Sequence, residues 1–540
     1  MTGAYPVDVF PRLSPLLGLT ASLASRTLVT LFWPALLVLV ATLVLGRAFC
    51  AWVCPMGTTL DICDKLFKRK PNAIAGRKPT QEILRSAQND SGRSQNDSGR
   101  AHYGASAKPA HRRWKFALLA FLLICSAFGL ELAGWFDPLS VVTRSYALAL
   151  QPYANYLSER VLDILFLIPP LAPILYPFEE FLRAYVLSFQ QLIFSAHVLF
   201  AMIFVGIVAL GALNRRFWCR SLCPLGALLA LAGRYPLLRR TVSDECTHCL
   251  SCQRACMTDA IADQGEKTLR GECVYCFTCE DICPVNAISF SFRRRVPQSI
   301  TGGVLSRRAL LTTTLAGTAV LPALKLNYPR RSLYPWVIRP PGVEGEKEFL
   351  AKCVRCGECM KVCLKNALHP TLFEGGAEGL WTPKLVPRVG YCEYNCTLCG
   401  QVCPSGAIPE LNREQKHKAK MGIAYFEKNR CIPWVAYENW SEKKQWSKSY
   451  NCAVCEEHCP TAQKAIRFSD VTVETAEGSQ IIRRPIVVAE ECVGCGICEN
   501  VCPLDGPAAV RVISKNAAKT LAQKGIKPEQ IESGSIYPGA

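Results

Sequence analysis

"CTHCLSCQRAC" at residues 246–256 and "CVYCFTCEDICP" at residues 273–284 each place four cysteines in the spacing C-x2-C-x2-C-x3-C. This spacing is typical of loops that wrap thiolates around a [4Fe–4S] cube. Zinc ribbons, the main alternative, divide their ligands into two pairs about 15–20 residues apart. Four thiolates packed into a single short run therefore favour an iron–sulfur cluster.

The two runs also predict how their ligands are shared. Where two such runs lie close together in a chain, the fourth cysteine of each run crosses to the other cluster. We therefore expect two ligand sets, one made of Cys246, Cys249, Cys252 and Cys283 and the other of Cys273, Cys276, Cys279 and Cys256.

The C-terminal half repeats the pattern. Three further runs contain Cys353, Cys356, Cys359 and Cys363; Cys392, Cys396, Cys399 and Cys403; and Cys492, Cys495, Cys498 and Cys502. A fourth set is stretched, with Cys431 alone and then Cys452, Cys455 and Cys459. Cys431 could be an ordinary buried thiol, but its set otherwise lacks one ligand, so a ligand role is favoured. The six sets predict about six [4Fe–4S] clusters.

Six of the 30 cysteines remain outside these sets. Cys63 and Cys125 are interpreted as packing residues. The other four form two matched Cys-x3-Cys-Pro pairs, Cys50 with Cys54 and Cys219 with Cys223. Three interpretations stay open for these pairs: small residues packed at a helix end, a reversible dithiol, or four thiolates on one further metal centre.

Three apolar stretches, at 28–46, 116–135 and 192–213, have the length of about twenty residues that a bilayer requires. Basic residues flank them, and the net charge is +19. Because the positive charge lies beside apolar segments, it favours a membrane protein over nucleic-acid binding. The same rule predicts that both Cys-x3-Cys-Pro pairs face the cytoplasm and that residues 136–190 face outward.

A fourth, weaker apolar stretch at 309–324 follows the twin arginines of "SRRALLTTTLAG", which begins at Ser306. The pattern is that of a twin-arginine export signal. We expect an uncleaved anchor that carries the chain from about residue 330 to the outer face; an ordinary helix with a basic flank is the alternative. The polar tandem repeat at 86–100 predicts a disordered loop.

These features predict a fold class and a domain order. The fold class is a membrane α-helical anchor plus α+β ferredoxin-like modules, one with two clusters and one with four. The expected domains are the anchor at 1–240, the two-cluster module at 241–295, an export-signal-like segment and linker at 296–345, the four-cluster domain at 346–515 and a tail at 516–540.

The first half, with "FCAWVCP" at 49–55, "WCRSLCPLGA" at 218–227 and the eight-cysteine module, resembles NapH-type membrane ferredoxins and the related NosR-like and CcoG-like proteins. From the twin arginines onward, "RPPG" at 339–342, "GLWTPKLVPRVGYCEYNCTLCGQVCP" at 379–404 and "CAVCEEHCPTAQKAI" at 452–466 resemble NapG/MauM-type four-cluster ferredoxins. The chain thus resembles a natural fusion of two quinol-dehydrogenase components.

The resemblance implies an electron-transfer subunit of the bacterial inner membrane that takes electrons from menaquinol or ubiquinol to a periplasmic reductase or cytochrome. The first ferredoxin module would be cytoplasmic and the C-terminal domain periplasmic. Glu131 and His197 are the ionisable residues of the apolar stretches and are candidates for handling the quinol's protons, although a satisfied buried residue is the alternative for each. A maturation or regulatory factor, as in NosR-like and CcoG-like proteins, and a purely structural anchor are the competing functions.

Overall fold

The computed structural model describes residues 8–66, 109–185, 191–269, 271–292, 307–325, 336–435, 452–475 and 478–523. The chain forms two compact units. The N-terminal unit comprises Val9–Thr143 and Ala201–Val320, and the C-terminal unit comprises Met1–Asp8, Arg144–Phe200 and Leu321–Ala540. The tandem repeat at 86–100, Ser306 and the last part of the tail lie outside the described residues.

The N-terminal unit is built around helices. They are Val9–Arg12, Pro15–Ser25, Trp33–Leu45, Ala48–Trp52, Pro55–Leu66, Pro109–Ala127, Ala133–Phe136, Phe217–Ser221 and Pro224–Ala232, with Pro138–Ser145, His197–Ala209 and Arg307–Lys325 crossing the boundary between units. Pro15–Ser25, Trp33–Leu45, Pro109–Ala127 and Pro224–Ala232 pack together. Their contact buries side chains such as Leu17, Leu122 and Leu229, which removes apolar surface from water.

Two polar residues hold the start of this helical cluster in place. Ser14 precedes the helix Pro15–Ser25, and its hydroxyl accepts the N–H of Leu17 at 3.3 Å. The same hydroxyl donates to the carboxylate of Asp137 at 2.7 Å. Asp137 in turn accepts the N–H groups of Leu139 and Ser140, at the first turn of the next helix. Each side chain thus satisfies helix N–H groups that would otherwise be unpaired in a buried place.

The remaining part of the N-terminal unit is the eight-cysteine module. Strand β1 (Leu238–Val242) pairs antiparallel with β4 (Ile288–Phe292), so that the start and the end of the module lie side by side. Between them, β2 (Ile261–Ala262) pairs with β3 (Lys267–Thr268). Short helices, Ser251–Ala255 and Thr278–Asp281, follow the first cysteines of each run.

None of the helices in the described ranges is both long enough and apolar enough to cross a membrane. The predicted spans are divided instead. In the first, a 3-10 turn at Thr30–Phe32 precedes a helix of 13 residues, Trp33–Leu45, which is only about 20 Å long. The second ends at a left-handed Gly129, and the third contains the helix His197–Ala209, again of 13 residues. The three transmembrane helices are therefore not confirmed.

The C-terminal unit combines helices with three separate two-stranded sheets. Its helices are Gln151–Phe166, Ala172–Tyr185, Glu346–Lys352, Glu358–Lys361, Gly376–Gly379, Leu398–Gln401, Arg413–Lys418, Ile432–Val435, Val454–Glu457, Ile497–Asn500 and Lys515–Gln523, with a π-helical turn at Tyr146–Leu150. Its strands are β5 (Leu368–Pro370), β6 (Pro383–Leu385), β7 (Gly422–Phe426), β8 (Ile466–Thr475), β9 (Gly478–Val487) and β10 (Val510–Ser514).

All three strand pairs are antiparallel: β5 with β6, β7 with β10, and β8 with β9. The β7–β10 pair joins residues more than eighty positions apart, with Phe426 opposite Val510. Residues from Arg144 to Phe200 belong to this unit, although the sequence places them within the anchor region. The mixture of short helices and strands expected for the ferredoxin-like modules is confirmed.

Candidate metal centres

The backbone curls in the same way around the second cysteine of four runs. The residues just before and just after that cysteine have positive φ angles. The pairs are His248 and Leu250, Tyr275 and Phe277, Arg355 and Gly357, and Gly494 and Gly496. Alternation of left-handed and right-handed residues turns successive N–H groups toward one concave side, which is how backbone binds anionic groups, including iron–sulfur clusters.

A second local feature follows the fourth cysteine of a run. The third residue after it is left-handed at Asp259, Asn286, Asn366 and Gly406. These are residue types that adopt positive φ at the least cost. The turn brings a later N–H group to the thiol: Ala260 to Cys256 at 3.2 Å, Ala367 to Cys363 at 3.3 Å, and Ile408 to Cys403 at 3.4 Å. Such bonds stabilise a thiolate and help to set a cluster's potential.

Five cavities are each lined by four cysteine side chains, and we call each such set of four a cradle. In the N-terminal unit one cradle is made of Cys246, Cys249, Cys252 and Cys283. The C-terminal unit contains four cradles. They are Cys353, Cys356, Cys359 and Cys403; Cys392, Cys396, Cys399 and Cys363; Cys431, Cys452, Cys455 and Cys502; and Cys492, Cys495, Cys498 and Cys459.

The remaining four cysteines of the first module also come together. Cys273 interacts electrostatically with Cys256, Cys276 and Cys279, and burial raises the pKa of Cys273 to about 12. On these interactions we extend the name cradle to this sixth set of four thiols.

Every cradle therefore takes three cysteines from one part of the chain and the fourth from another. For the first module the sequence predicts this exchange. For the C-terminal half the sequence-based prediction does not include the exchange, because it takes each ligand set from neighbouring positions in the chain. The structure exchanges Cys363 with Cys403, and Cys459 with Cys502, while Cys431 supplies the third ligand beside Cys452 and Cys455. The signal that could have found it was the succession of neighbouring cysteine runs, which in the first module is already interpreted as a pair that exchanges its fourth cysteines.

Buried cations surround the cradle of Cys353. Arg355 lies in the loop between two of its cysteines, is 2% exposed, and donates to the carbonyl of Cys353 at 3.1 Å. Arg144, equally buried, donates to the carbonyl of Arg355 at 2.9 Å and stacks 4.4 Å from the ring of Trp381. Two buried guanidinium groups beside four thiols fit an occupant with net negative charge, since buried charges require compensation.

The residues fit [4Fe–4S] cubes. Each of the five cavities offers four cysteine thiols, and a cube is held by four cysteine thiolates. The donor set and its N–H···S bonds therefore suit [4Fe–4S] clusters.

Glu131 and His197 lie in different units. Glu131 is only 1% exposed. The Nδ1 atom of His197 lies 2.7 Å from the carbonyl oxygen of Phe194, and its ring packs 5.6 Å from that of Tyr153. His197 thus has an ordinary local hydrogen-bond partner. Cys125 is fully buried within the helix Pro109–Ala127, and Cys63 is half-buried on Pro55–Leu66; neither lines one of the cavities.

The two Cys-x3-Cys-Pro pairs come together in the N-terminal unit. Cys223 interacts electrostatically with Cys219, Cys50 and Cys54. Each pair bridges two helices: the first cysteine lies in a short helix, Ala48–Trp52 or Phe217–Ser221, and the second precedes the helix that begins at the proline.

Family models match four segments of the chain. One described as a 4Fe-4S binding domain matches residues 27–73 and 196–243, another with the same description matches residues 273–287, and a 4Fe-4S dicluster domain matches residues 448–505. No solved structure matches significantly.

Several curated proteins are similar to the chain. The methylamine utilization ferredoxin-type protein MauM of Methylorubrum extorquens is 35% identical over 218 residues, which are 39% of this chain and 90% of that protein. The ferredoxin-type protein NapG of Escherichia coli is 34% identical over 185 residues, 34% of this chain and 72% of that protein. The ferredoxin-type protein NapH of Haemophilus influenzae is 24% identical over 260 residues, 47% of this chain and 63% of that protein. These relatives and the domain matches establish an iron–sulfur electron-transfer protein of the ferredoxin type with several [4Fe–4S] clusters.

Proposed function

Since the chain belongs to the ferredoxin-type protein family of MauM and NapG, we propose that it relays electrons from a membrane quinol to a reductase or cytochrome outside the cytoplasm. The observation that carries the proposal is the set of exchanged cradles. A bound cube accepts and returns one electron at a time without large rearrangement. Because each cradle shares a chain segment with its neighbour, the cubes are held in fixed pairs, as stepwise transfer requires.

The chain's own residues supply binding and insulation. In the cradle of Cys492, Cys495, Cys498 and Cys459, three of the thiols are buried, and the N–H of Ala424 reaches Cys492 at 3.4 Å. Arg388 ties the end of the same run by donating to the carbonyl oxygens of Cys502 at 2.9 Å and of Leu504. Buried thiols exclude water, and the hydrogen-bond donors of the protein stay in place. The surroundings of a bound cluster therefore stay constant while the charge of the cluster changes.

The quinol part of the proposal rests on the N-terminal half. That half carries the features that resemble NapH-type proteins, and we propose that the chain joins a NapH-like part to a NapG/MauM-like part. The helix Trp33–Leu45 leaves Trp33, Leu36, Val40 and Leu43 more than half exposed, an apolar face that fits contact with lipid. We place this half at the inner membrane, where a quinol would be available. Glu131 remains a candidate for accepting its protons.

The twin-arginine-like segment supports delivery outside the cytoplasm. The described part of this segment forms the helix Arg307–Lys325, whose residues Leu311 and Leu315 are exposed. In the proposal this helix leads the chain from about residue 330 to the outer face, where the electron acceptor is a periplasmic reductase or cytochrome.

The test is anaerobic reduction of the purified full chain in detergent by a soluble menaquinol or ubiquinol analogue, followed by optical bleaching and electron paramagnetic resonance. We expect reduction of at least one cluster within seconds, and slower reduction in Glu131→Gln than in the wild type. Glu159→Gln, which changes an acidic residue in the C-terminal unit, is the matched control. Reduction by dithionite but by neither quinol would refute the quinol relay and favour the maturation-factor alternative.

A further inference from the structure

Two segments of the N-terminal unit repeat one pattern that the relay does not use. Arg47-x2-Cys50-x3-Cys54-Pro-x-Gly57 corresponds, position by position, to Arg216-x2-Cys219-x3-Cys223-Pro-x-Gly226. We propose that Cys50, Cys54, Cys219 and Cys223 together bind one further [4Fe–4S] cluster. Each repeat contains only two cysteines, so a site with four cysteines exists only where the two repeats meet. The proposal deepens the electron-transfer function by adding a carrier, but it does not depend on the identity of the electron donor.

The two repeats have the same backbone hydrogen bonds. The N–H of Cys54 donates to the carbonyl of Phe49 at 2.9 Å, and the N–H of Cys223 donates to that of Trp218 at 2.9 Å. The second cysteine of each pair then begins a helix, with its carbonyl accepting an N–H four residues later, at 3.2 Å for Cys54 and 3.1 Å for Cys223. The helix breaks between the two cysteines of a pair, so each pair forms a turn rather than one helical face.

The repeats pack against each other through their arginines and glycines. Nη1 of Arg216 donates to the carbonyl of Cys50 at 3.2 Å, and Nη2 lies 3.5 Å from where a Cβ on Gly57 would be. In the reciprocal position, a Cβ on Gly226 would lie 2.9 Å from Nη2 of Arg47. Each arginine thus reaches the glycine of the other repeat, and this exchange brings all four cysteines together.

The charge of the site suits an anionic occupant. Arg47, Arg216 and Lys115 are almost fully buried, and their carboxylate partners in the described part of the chain are Asp61 and Glu272. Three buried cations therefore meet two carboxylates. Nε of Arg47 has no hydrogen-bond partner among the described residues. A thiolate-bound cube carries net negative charge and would compensate the remaining cation.

One sulfur atom already accepts a backbone hydrogen bond. Sγ of Cys223 accepts the N–H of Gly226 at 3.1 Å, and such a bond stabilises a thiolate ligand. The two turns together offer four thiolates, the number that holds one [4Fe–4S] cube.

The site adjoins the cradle of Cys273. The indole N–H of Trp52 donates at 3.1 Å to the carbonyl of Tyr275, which lies between Cys273 and Cys276. Nη1 of Arg47 donates to the carbonyl of Gly271 at 3.1 Å. An additional carrier here would lie beside the first ferredoxin module.

The first test compares metal content of the full chain purified under anaerobic conditions. We expect Cys54→Ala/Cys223→Ala to lose about four iron and four sulfide per chain relative to the wild type. The matched control is Cys63→Ala/Cys125→Ala, which removes two thiols outside every cradle and should lose neither. Unchanged iron with a disulfide among the four cysteines, or loss of one zinc ion in place of iron, would overturn the proposal.

The second test does not require the variant to fold. Cys50, Cys219 and Cys63 are all half-buried thiols. In the native wild-type protein we expect iodoacetamide to modify Cys63 and to spare Cys50 and Cys219 until the iron is removed by acid. Equal modification of all three in the iron-loaded protein would show that no cluster protects the site. Both readouts are independent of quinol oxidation, so failure of the relay and failure of this site can be told apart.

Discussion

Exchange of ligands between cysteine runs in the C-terminal unit can be distinguished experimentally from the alternative, in which each cluster takes all four ligands from one run. Cys403 and Cys356 belong to one cradle although they lie in different runs, whereas Cys403 and Cys396 share a run but belong to two cradles. Cys403→Ala/Cys356→Ala therefore takes two thiolates from one cube. Cys403→Ala/Cys396→Ala takes one thiolate from each of two cubes.

The expected magnitudes follow from four irons per cube. The first variant should lose one intact cube, about four irons, and leave the others unaltered. The second should lose two intact cubes, with either loss of about eight irons or conversion to three-iron clusters, since each cube keeps three thiolates. Both variants remove the same number of cysteines, so general destabilisation would affect them alike.

The assay is chemical determination of iron and sulfide together with integration of electron paramagnetic resonance signals in the oxidised and reduced states. The wild type and Cys63→Ala provide the reference for intact cubes. If Cys403→Ala/Cys356→Ala disturbed two cubes and Cys403→Ala/Cys396→Ala only one, ligands would be grouped by run and the exchange would be refuted.

Three further predictions concern the C-terminal unit. Burial lowers the pKa of His369 to about 4, below its ordinary 6.5, so the unfolded chain binds the proton more tightly than the folded chain. The free energy of unfolding should therefore fall by about 2 kcal/mol from pH 7 to pH 5. Urea unfolding at the two pH values should show a smaller fall for His369→Gln than for the wild type. Arg511 and Glu427 form a buried ion pair, with 2.7 Å between Nη1 and Oε1. Arg511→Met should lower the free energy of unfolding by about 3–5 kcal/mol, because it leaves a buried carboxylate without its partner. A double-mutant cycle should show that adding Glu427→Met restores part of that stability. A Cβ on Gly390 would lie 1.8 Å from a backbone carbonyl oxygen, so Gly390→Ala should lower the melting temperature and the iron content, whereas Gly345→Ala, with its nearest neighbours at 3.8 Å, should change neither.

The sequence alone determined the cofactor chemistry, because the ligands of a cube are close together in the chain. Runs such as Cys246 to Cys256 fix the thiol spacing through a few backbone angles, and residues such as Asn366 and Gly357 mark the left-handed positions. Local conformational preference is enough to specify such a loop. The mixed helix and strand content of the modules follows in the same way.

The apolar stretches show where sequence patterns were insufficient. Composition predicted three continuous spans, but a helix ends where the backbone turns, as at Gly46, whose φ is 68°, and at Gly129, whose φ is 85°. Hydropathy measures the preference of side chains for an apolar environment. It carries little information on the backbone angles at which a helix ends.

Only the tertiary structure decided which thiols share a site. The exchanges of Cys363 with Cys403 and of Cys459 with Cys502, and the position of Cys431, depend on strand and helix packing between distant parts of the chain. The meeting of the two Cys-x3-Cys-Pro turns depends on Arg47 and Arg216 reaching across to each other's repeat. The sequence fixes ligand loops because they are local, whereas the assembly of complete sites follows from long-range packing, which local spacing does not encode.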